Sequence, residues 1–307
     1  MHQYWGYGLK ILSEIVFPEL LPYTFDEPDV RIICGKTPKD LTGEGVTHRV
    51  RVSISPTEYL QKLPVANYYA AHGNTIVVEP LPDSDENSIR LFLLSNAFAA
   101  ILHQRNSILM HASAVYVQDG IVMFCGDSGM GKSTIATSLQ LKGYRVFSDD
   151  ICVLQPDSLN PNKVLALPAY PMIKLWEDGF TKMGLEMAGE DNKLRPWLPK
   201  YSRYFHDEFA IEAMPIKKVF ILGFKNSNEI NKIVSIEQLS DIKAFSALQR
   251  NSYRQQQMNE MNKRNIHFGT LTKLANQVPV CLLKRPYYDN SIDAVIAMIE
   301  EQLQKIN

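Results

Sequence analysis

The run Gly126-Asp127-Ser128-Gly129-Met130-Gly131-Lys132-Ser133 limits this chain more than any other segment, because it matches G-x-x-x-x-G-K-[ST] in full. Glycines let backbone N–H groups curl around phosphate oxygens with no Cβ in the way. The pattern has meaning only between a strand and a helix, and both are predicted. Ile121 to Cys125 (IVMFC) reads as an apolar strand, Thr134 to Lys142 as a helix, and Gly143 stands where a helix C-cap falls. The helix offers its N-terminal amides and positive dipole end to the same anion. Lys132 is placed to reach the β- and γ-phosphates, and the Ser133 hydroxyl to ligate Mg²⁺. Residues 126–134, Thr134 included, are therefore expected to bind a nucleotide phosphate within an α/β fold. A Gly-rich turn without a ligand is the competing reading.

The next predicted strand, Tyr144 to Phe147, ends at Ser148-Asp149-Asp150. Adjacent carboxylates are costly to hold together unless a cation or proton sits between them. A Mg²⁺–ATP site supplies the cation, and phosphoryl transfer also needs a carboxylate to accept or orient the acceptor hydroxyl. Asp149 and Asp150 are candidates for both tasks, as catalytic groups and, with Ser133, as metal ligands. The plain alternative is a solvated Asp-Asp turn. His111 lies in Leu109 to Val117 (LMHASAVYV), an arm predicted to form a hairpin with Ile121 to Cys125 across Asp119-Gly120. An isolated histidine in an apolar strand is commonly a satisfied core residue. Here its hairpin partner feeds the phosphate loop, so an active-site role stands beside the core one. The other six of the 7 histidines show no ligand spacing, and no zinc site is expected.

Composition removes several classes. Across 307 residues, 32 Lys+Arg balance 33 Asp+Glu, without the basic excess of a general nucleic-acid binder. Cys34, Cys125, Cys152 and Cys281 form no C-x-x-C pair, which excludes a zinc ribbon and suits reduced thiols in a cytosol. Leu9 to Leu21 is interrupted by Glu14 and Glu19, and Leu91 to Leu102 falls short of the ~20 apolar residues of a spanning helix. A cytoplasmic protein without a membrane segment is expected. Short strands are predicted at Asp29 to Cys34, Val50 to Ile54 and Thr75 to Glu79, and the breaker-rich 82–88 (PDSDENS) suggests a boundary. This divides the chain into a β-rich portion, 1–88, and a phosphate-loop domain, 89–307. In the latter, Ile89 to His103 reads as a buried helix, Val219 to Leu222 and Val278 to Leu283 as strands, and 237–250 and 291–304 as helices.

His111 in MHASAV, the loop GDSGMGKST (126–134) and KGYRVFSDD (142–150) together resemble the catalytic domain of bacterial HPr kinase/phosphorylase and its HPr kinase-like relatives, including kinases found with lasso-peptide biosynthesis. The match is tightest over about 105–155. A weaker likeness extends to YGLKILSEIVFPEL (7–20), LLSNAFAAILHQRN (93–106), KLRPWLPKY (193–201) and VPVCLLKRP (278–286). The resemblance implies the mixed β-sheet that HPr kinase shares with phosphoenolpyruvate carboxykinase nucleotide domains. By position it gives Gly126 to Ser133 the ATP phosphates and Mg²⁺, Asp149 the acceptor serine hydroxyl, and Asp150 and His111 a supporting role. Thr134 stands where HPr kinases carry Glu, and ALPAYPMIKLW (166–176) where an Arg-Gly motif would follow the acids. The front residues also do not resemble the N-terminal domain of HPr kinase. A relative with a different acceptor is the better reading.

The leading expectation is thus an ATP- and Mg²⁺-dependent serine kinase whose partner is a peptide or small protein with a Ser/Thr hydroxyl, with a homo-oligomer left open. The alternatives are a small-metabolite kinase or carboxykinase-like enzyme, and a nucleotide-sensing module without catalysis. Acceptor binding is assigned to Lys174, Arg195, Lys200 and Arg203, set among Trp176, Trp197, Tyr201 and Tyr204. Their region, 161–209, is long, proline-punctuated and weakly periodic, as an active-site flap would be.

Overall fold

The computed structural model describes residues 1–225, 233–287 and 291–305. It is a mixed α/β fold in which parallel and antiparallel strands share sheets. Among the described residues no helix is long and apolar enough to cross a membrane.

The front of the chain forms one sheet that, among the described residues, has nine strands. Leu9–Ser13, Val30–Cys34 and Thr75–Pro80 run parallel at its centre, with Ile32 opposite Ile76. Glu58–Lys62 (EYLQK) and Ala66–Ala71 (ANYYAA) pair antiparallel beyond them. The strands predicted at 29–34, 50–54 and 75–79 are present as Val30–Cys34, Val52–Ile54 and Thr75–Pro80, within a much larger sheet.

A helical layer covers this sheet. Asp85 caps Glu86–Phe92 by accepting from the Ser88 amide at 2.7 Å. The segment expected to be one helix is broken by a π-turn at Leu93–Ala97 before Phe98–Gln104 resumes. At the break the Tyr7 hydroxyl donates to the Leu94 carbonyl at 2.6 Å. The Tyr7 ring stacks on Phe98, centroids 4.9 Å apart. Phe98 and Ile101 are fully buried against Ile11, Ile32, Tyr68 and Ile76. Each such side chain contributes roughly 1.5–3 kcal/mol through burial.

The second sheet carries the glycine-rich loop 126–133. Gly120–Cys125, Met214–Phe224 and Val280–Arg285 run parallel at its centre. Ile121, Met123 and Cys125 face one apolar layer, while Val122 and Phe124 face another. That two-sided burial is why this strand reads as an unbroken apolar run rather than an alternation. Helices Lys132–Leu141 and Ile292–Gln304 pack on one face, and Asp241–Arg250 and Arg264–Gln277 on the other. After Lys132–Leu141 the Gly143 amide reaches Gln140 O at 2.9 Å and the Tyr144 amide reaches Leu139 O at 3.1 Å, the capping expected there.

The arm predicted as Leu109 to Val117 is two strands, Ile108–Met110 and Ala112–Val117, interrupted at His111. Opposite it, Val146–Ser148 and Cys152–Pro156 are likewise interrupted at 149–151. Met110 pairs with Cys152 and Ala114 with Ser148, so the two interruptions face each other. The region 161–209 is not an irregular excursion. Met172–Trp176, Leu198–Tyr204 and Lys193–Arg195 form an antiparallel three-stranded sheet among the described residues, with the helix Glu177–Met183 beside it. Its prolines mark strand ends and turns rather than loose chain.

Candidate active site

The glycine-rich loop leaves the strand Gly120–Cys125 and enters Lys132–Leu141 through Gly131. Gly129 has φ +87° and Gly131 φ +92°, a left-handed backbone that side chains with a Cβ resist. Nothing lies within 4 Å of where a Cβ on Gly129 would point, so backbone geometry, not crowding, selects glycine there. Lys132 is only 6% exposed. Its ammonium donates to Gly126 O at 2.6 Å and Asp127 O at 3.2 Å, and lies 2.9 Å from His111 Nε2. Burial pushes its pKa down, against the pull of Asp150 and Asp149.

The facing interruptions set the acids. Asp149, 1% exposed, accepts from Ser113 Oγ at 2.5 Å, from Ser133 Oγ at 2.9 and 3.1 Å, and from the Lys174 amide at 2.9 Å. Asp150 has φ +69°, and across it the Ile151 amide reaches back to Asp149 O at 2.9 Å. This is a γ-turn of the rare left-handed kind. It turns the two successive side chains to different partners. The Asp150 carboxylate meets Lys174 Nζ at 2.6 Å and His111 Nδ1 at 3.3 Å. Burial alone would raise the Asp150 pKa, but Lys174 and His111 outweigh it and hold the group well below the usual carboxylate range. Burial likewise opposes the charge on Lys174, and the Asp150 carboxylate overrides it, so its pKa stands well above an ordinary lysine's. For His111, a proton on Nδ1 satisfies both sides: Nδ1–H donates to the Asp150 backbone carbonyl at 3.0 Å and Nε2 accepts from Lys132.

These groups line one cavity of about 270 Å³, with Ser128, Gly129 and Thr134 of the loop. Of the four cations expected to meet an acceptor, Lys174 and Lys200 line this cavity and Arg195 and Arg203 do not. Lys200 sits directly opposite Trp176 in the small sheet, with its ammonium 5.5 Å from the indole ring. Burial and then the Lys174 charge push its pKa down. Arg195 stacks between Phe92 at 4.9 Å and Trp197 at 4.4 Å. Arg203 donates to Gln140 Oε1 at 2.6 Å on the helix that follows the loop. If the cavity carries the phosphoryl transfer expected from the sequence, Arg195→Ala and Arg203→Ala should leave its rate within about twofold of wild type, as substitutions away from a site do. A steady-state rate assay on each variant checks this, and a tenfold loss in either would return it to the site.

Two residues at the site carry no assignment from the sequence: Ser113, which donates to Asp149, and Arg285, which lines the cavity. Ser113 is two positions after His111, and the period of a strand places both on one face, so alternation alone could have found it. Arg285 ends the strand Val280–Arg285, with Nη2 3.5 Å from where a Cβ on Gly131 would sit. Its approach depends on parallel pairing to Met214–Phe224, for which a single sequence offers no signal. Among the described residues no group of three or more His, Cys, Asp or Glu side chains is placed to hold a metal alone.

No protein-family model and no curated protein matches the chain. Among solved structures, the Hpr(Ser) kinase/phosphatase from Coxiella burnetii is similar at 12% sequence identity, with a TM-score of 0.32. The similarity covers 64% of this chain and 92% of that one.

Proposed function

We propose that the chain is an ATP-dependent kinase that transfers the γ-phosphate to a serine or threonine hydroxyl of a peptide or small protein. The observation that supports this most is the Ser133–Asp149 contact at 2.9 and 3.1 Å, directly under the phosphate loop. Mg²⁺ in nucleotide sites commonly takes one or two protein oxygens and completes its shell with water and substrate phosphates. A loop serine and a strand-end aspartate form such a pair, and both are hard oxygen donors. When bound there, Mg²⁺ would neutralise charge on the β- and γ-phosphates.

The remaining roles follow from the partners. Lys132 and the loop amides would hold the phosphates, with Arg285 a further cation at the rim. Asp150 is the acid on the acceptor's side in this reading, and Asp149 the one on the metal's side, the reverse of what the family resemblance implies. The acceptor oxygen bonds to the γ-phosphorus as the bond to the bridging oxygen breaks. ADP leaves, and the hydroxyl proton passes to the Asp150 carboxylate and on to solvent. A carboxylate held so strongly ionised is a weak base. It suits a loose transition state, in which the proton moves late and the main task is to orient the hydroxyl.

The test is incubation of the protein with γ-labelled ATP, Mg²⁺ and a degenerate peptide library containing one fixed serine, with Lys132→Ala alongside. Wild type should label peptide. Label only in a small molecule, or none, would overturn the assignment. In the same series Lys132→Ala should weaken ATP binding by tenfold or more, since a charge-assisted contact is worth roughly 1.5–3 kcal/mol. Equal affinities in calorimetry would remove the loop from the site.

A further inference from the structure

A second cavity, about 600 Å³ in volume, shares His111, Ser128 and Asp150 with the phosphate-loop cavity. Its other walls come from two places far apart in sequence. One is the front sheet and its π-turn, through Tyr59, Gln61 and Asn96. The other is the segment Arg250 to Glu260, which follows a helix packed on the phosphate-loop sheet. The cavity therefore lies where the two sheets of the molecule meet. Its volume falls within the ~300–1,000 Å³ of ligand-binding clefts.

The polar groups on its walls are ordered but incompletely satisfied. Asn96 Nδ2 donates to Gln61 Oε1 at 2.9 Å, and Gln257 Nε2 donates to Asn96 O at 3.1 Å. This chain fixes Gln257, which is 6% exposed, and leaves its Oε1 without a hydrogen-bond partner among the described residues. Glu260 Oε2 is buried in the same condition, while its Oε1 accepts from Arg49 and from Gln256. Buried acceptors without donors are costly, so they point to a ligand that brings N–H or O–H groups. Opposite in sign, Arg250 and Arg254 are exposed in the same cavity, with no carboxylate partner among the described residues. Arg254 instead lies over the Tyr253 ring, 5.1 Å from its centroid.

A small anion would meet Glu260 and Gln257 unfavourably, and a small cation would meet the two arginines. A polypeptide supplies both complements at short intervals, N–H donors and carbonyl or carboxylate acceptors. We infer that this cavity is the acceptor cleft and that it takes a short polypeptide segment, presenting a Ser or Thr hydroxyl at the His111–Asp150 border. The inference rests on the kinase reading and adds to it where the acceptor binds. It moves acceptor recognition from the 161–209 region to the seam between the sheets.

The decisive measurement is steady-state kinetics of label transfer from γ-labelled ATP to the fixed-serine peptide library, comparing wild type with the double variant Arg250→Ala/Arg254→Ala. Both side chains are exposed, so the variant is expected to fold, and circular dichroism checks that it does. The KM for peptide should rise by tenfold or more, and the KM for ATP by much less. An unchanged peptide KM would overturn the cleft assignment while leaving the kinase reading in place. If wild type labels no peptide at all, both fall together. Label that appears only in a small hydroxylated molecule would exclude a polypeptide occupant.

Discussion

On the proposed kinase reading, Asp149→Asn should cut phosphoryl transfer by about 10²-fold or more, the usual consequence of losing a charge that steadies a transferring phosphoryl group. Three donors converge on this buried carboxylate, from Ser113, Ser133 and the Lys174 amide. An asparagine keeps one acceptor oxygen for the Lys174 amide, and the two serine hydroxyls can rotate to accept from its NH₂. The fold is therefore expected to survive a substitution that removes the anionic half of the Ser133–Asp149 pair. Transfer rates measured across a Mg²⁺ titration should show a lower maximum and a higher half-saturating metal concentration. Nucleotide affinity without metal should change little, because Lys132 and the loop amides remain. Wild-type turnover with an unshifted Mg²⁺ dependence would reduce Asp149 to a structural hub.

The strand–turn–helix around the glycine-rich loop and the placement of the two acids beside it were legible because both are local in sequence. A strand, six residues of turn and a helix are consecutive in sequence, and the acids stand at the end of the next strand. His111 was legible as a neighbour, since hairpin pairing carries one strand's position to the next. The break at His111 was not, because LMHASAVYV shows no proline or glycine to mark it. It exists because the opposite strand also breaks, at Asp149-Asp150, and neither half reveals that alone. Most of the front sheet was invisible for a different reason. EYLQK and ANYYAA have few β-branched residues, and their strand state comes from cross-strand neighbours and burial rather than propensity. The region 161–209 misled through its prolines. Lys174 is one of its residues that reaches the acids, and it does so from the middle of a regular strand, paired opposite Ser202.

That lysine also sets how firmly the site is held. The Lys174 side chain is 8% exposed and Asp150's 19%, so each charge depends on the other. Asp150→Asn would leave a buried ammonium without its carboxylate, and loss of one partner of a buried pair costs about 3–5 kcal/mol. Because Asp150 is held in a left-handed turn that costs about 1–3 kcal/mol, the pair also restrains the backbone that turns the two acids apart. Adding Lys174→Met to Asp150→Asn should recover much of the loss, since a well-packed apolar chain avoids the unpaired charge. The pH dependence has a fixed sign. The folded-state pKa of Asp150 is depressed, so its contribution is present above the ordinary carboxylate value of about 3.9 and is lost as pH falls below it. The folded-state pKa of Lys174 is raised, so its contribution is present below about 10.4 and is lost as pH rises through the folded value. Between those limits the pair should add nothing to the pH slope of stability. Urea unfolding at neutral pH and in acid measures both effects. Wild type should lose stability more steeply than Asp150→Asn in the acid range, and the double variant should lie above the single one at neutral pH. A single variant as stable as wild type would show that Lys174 finds another counter-charge, and that the γ-turn stands without the pair.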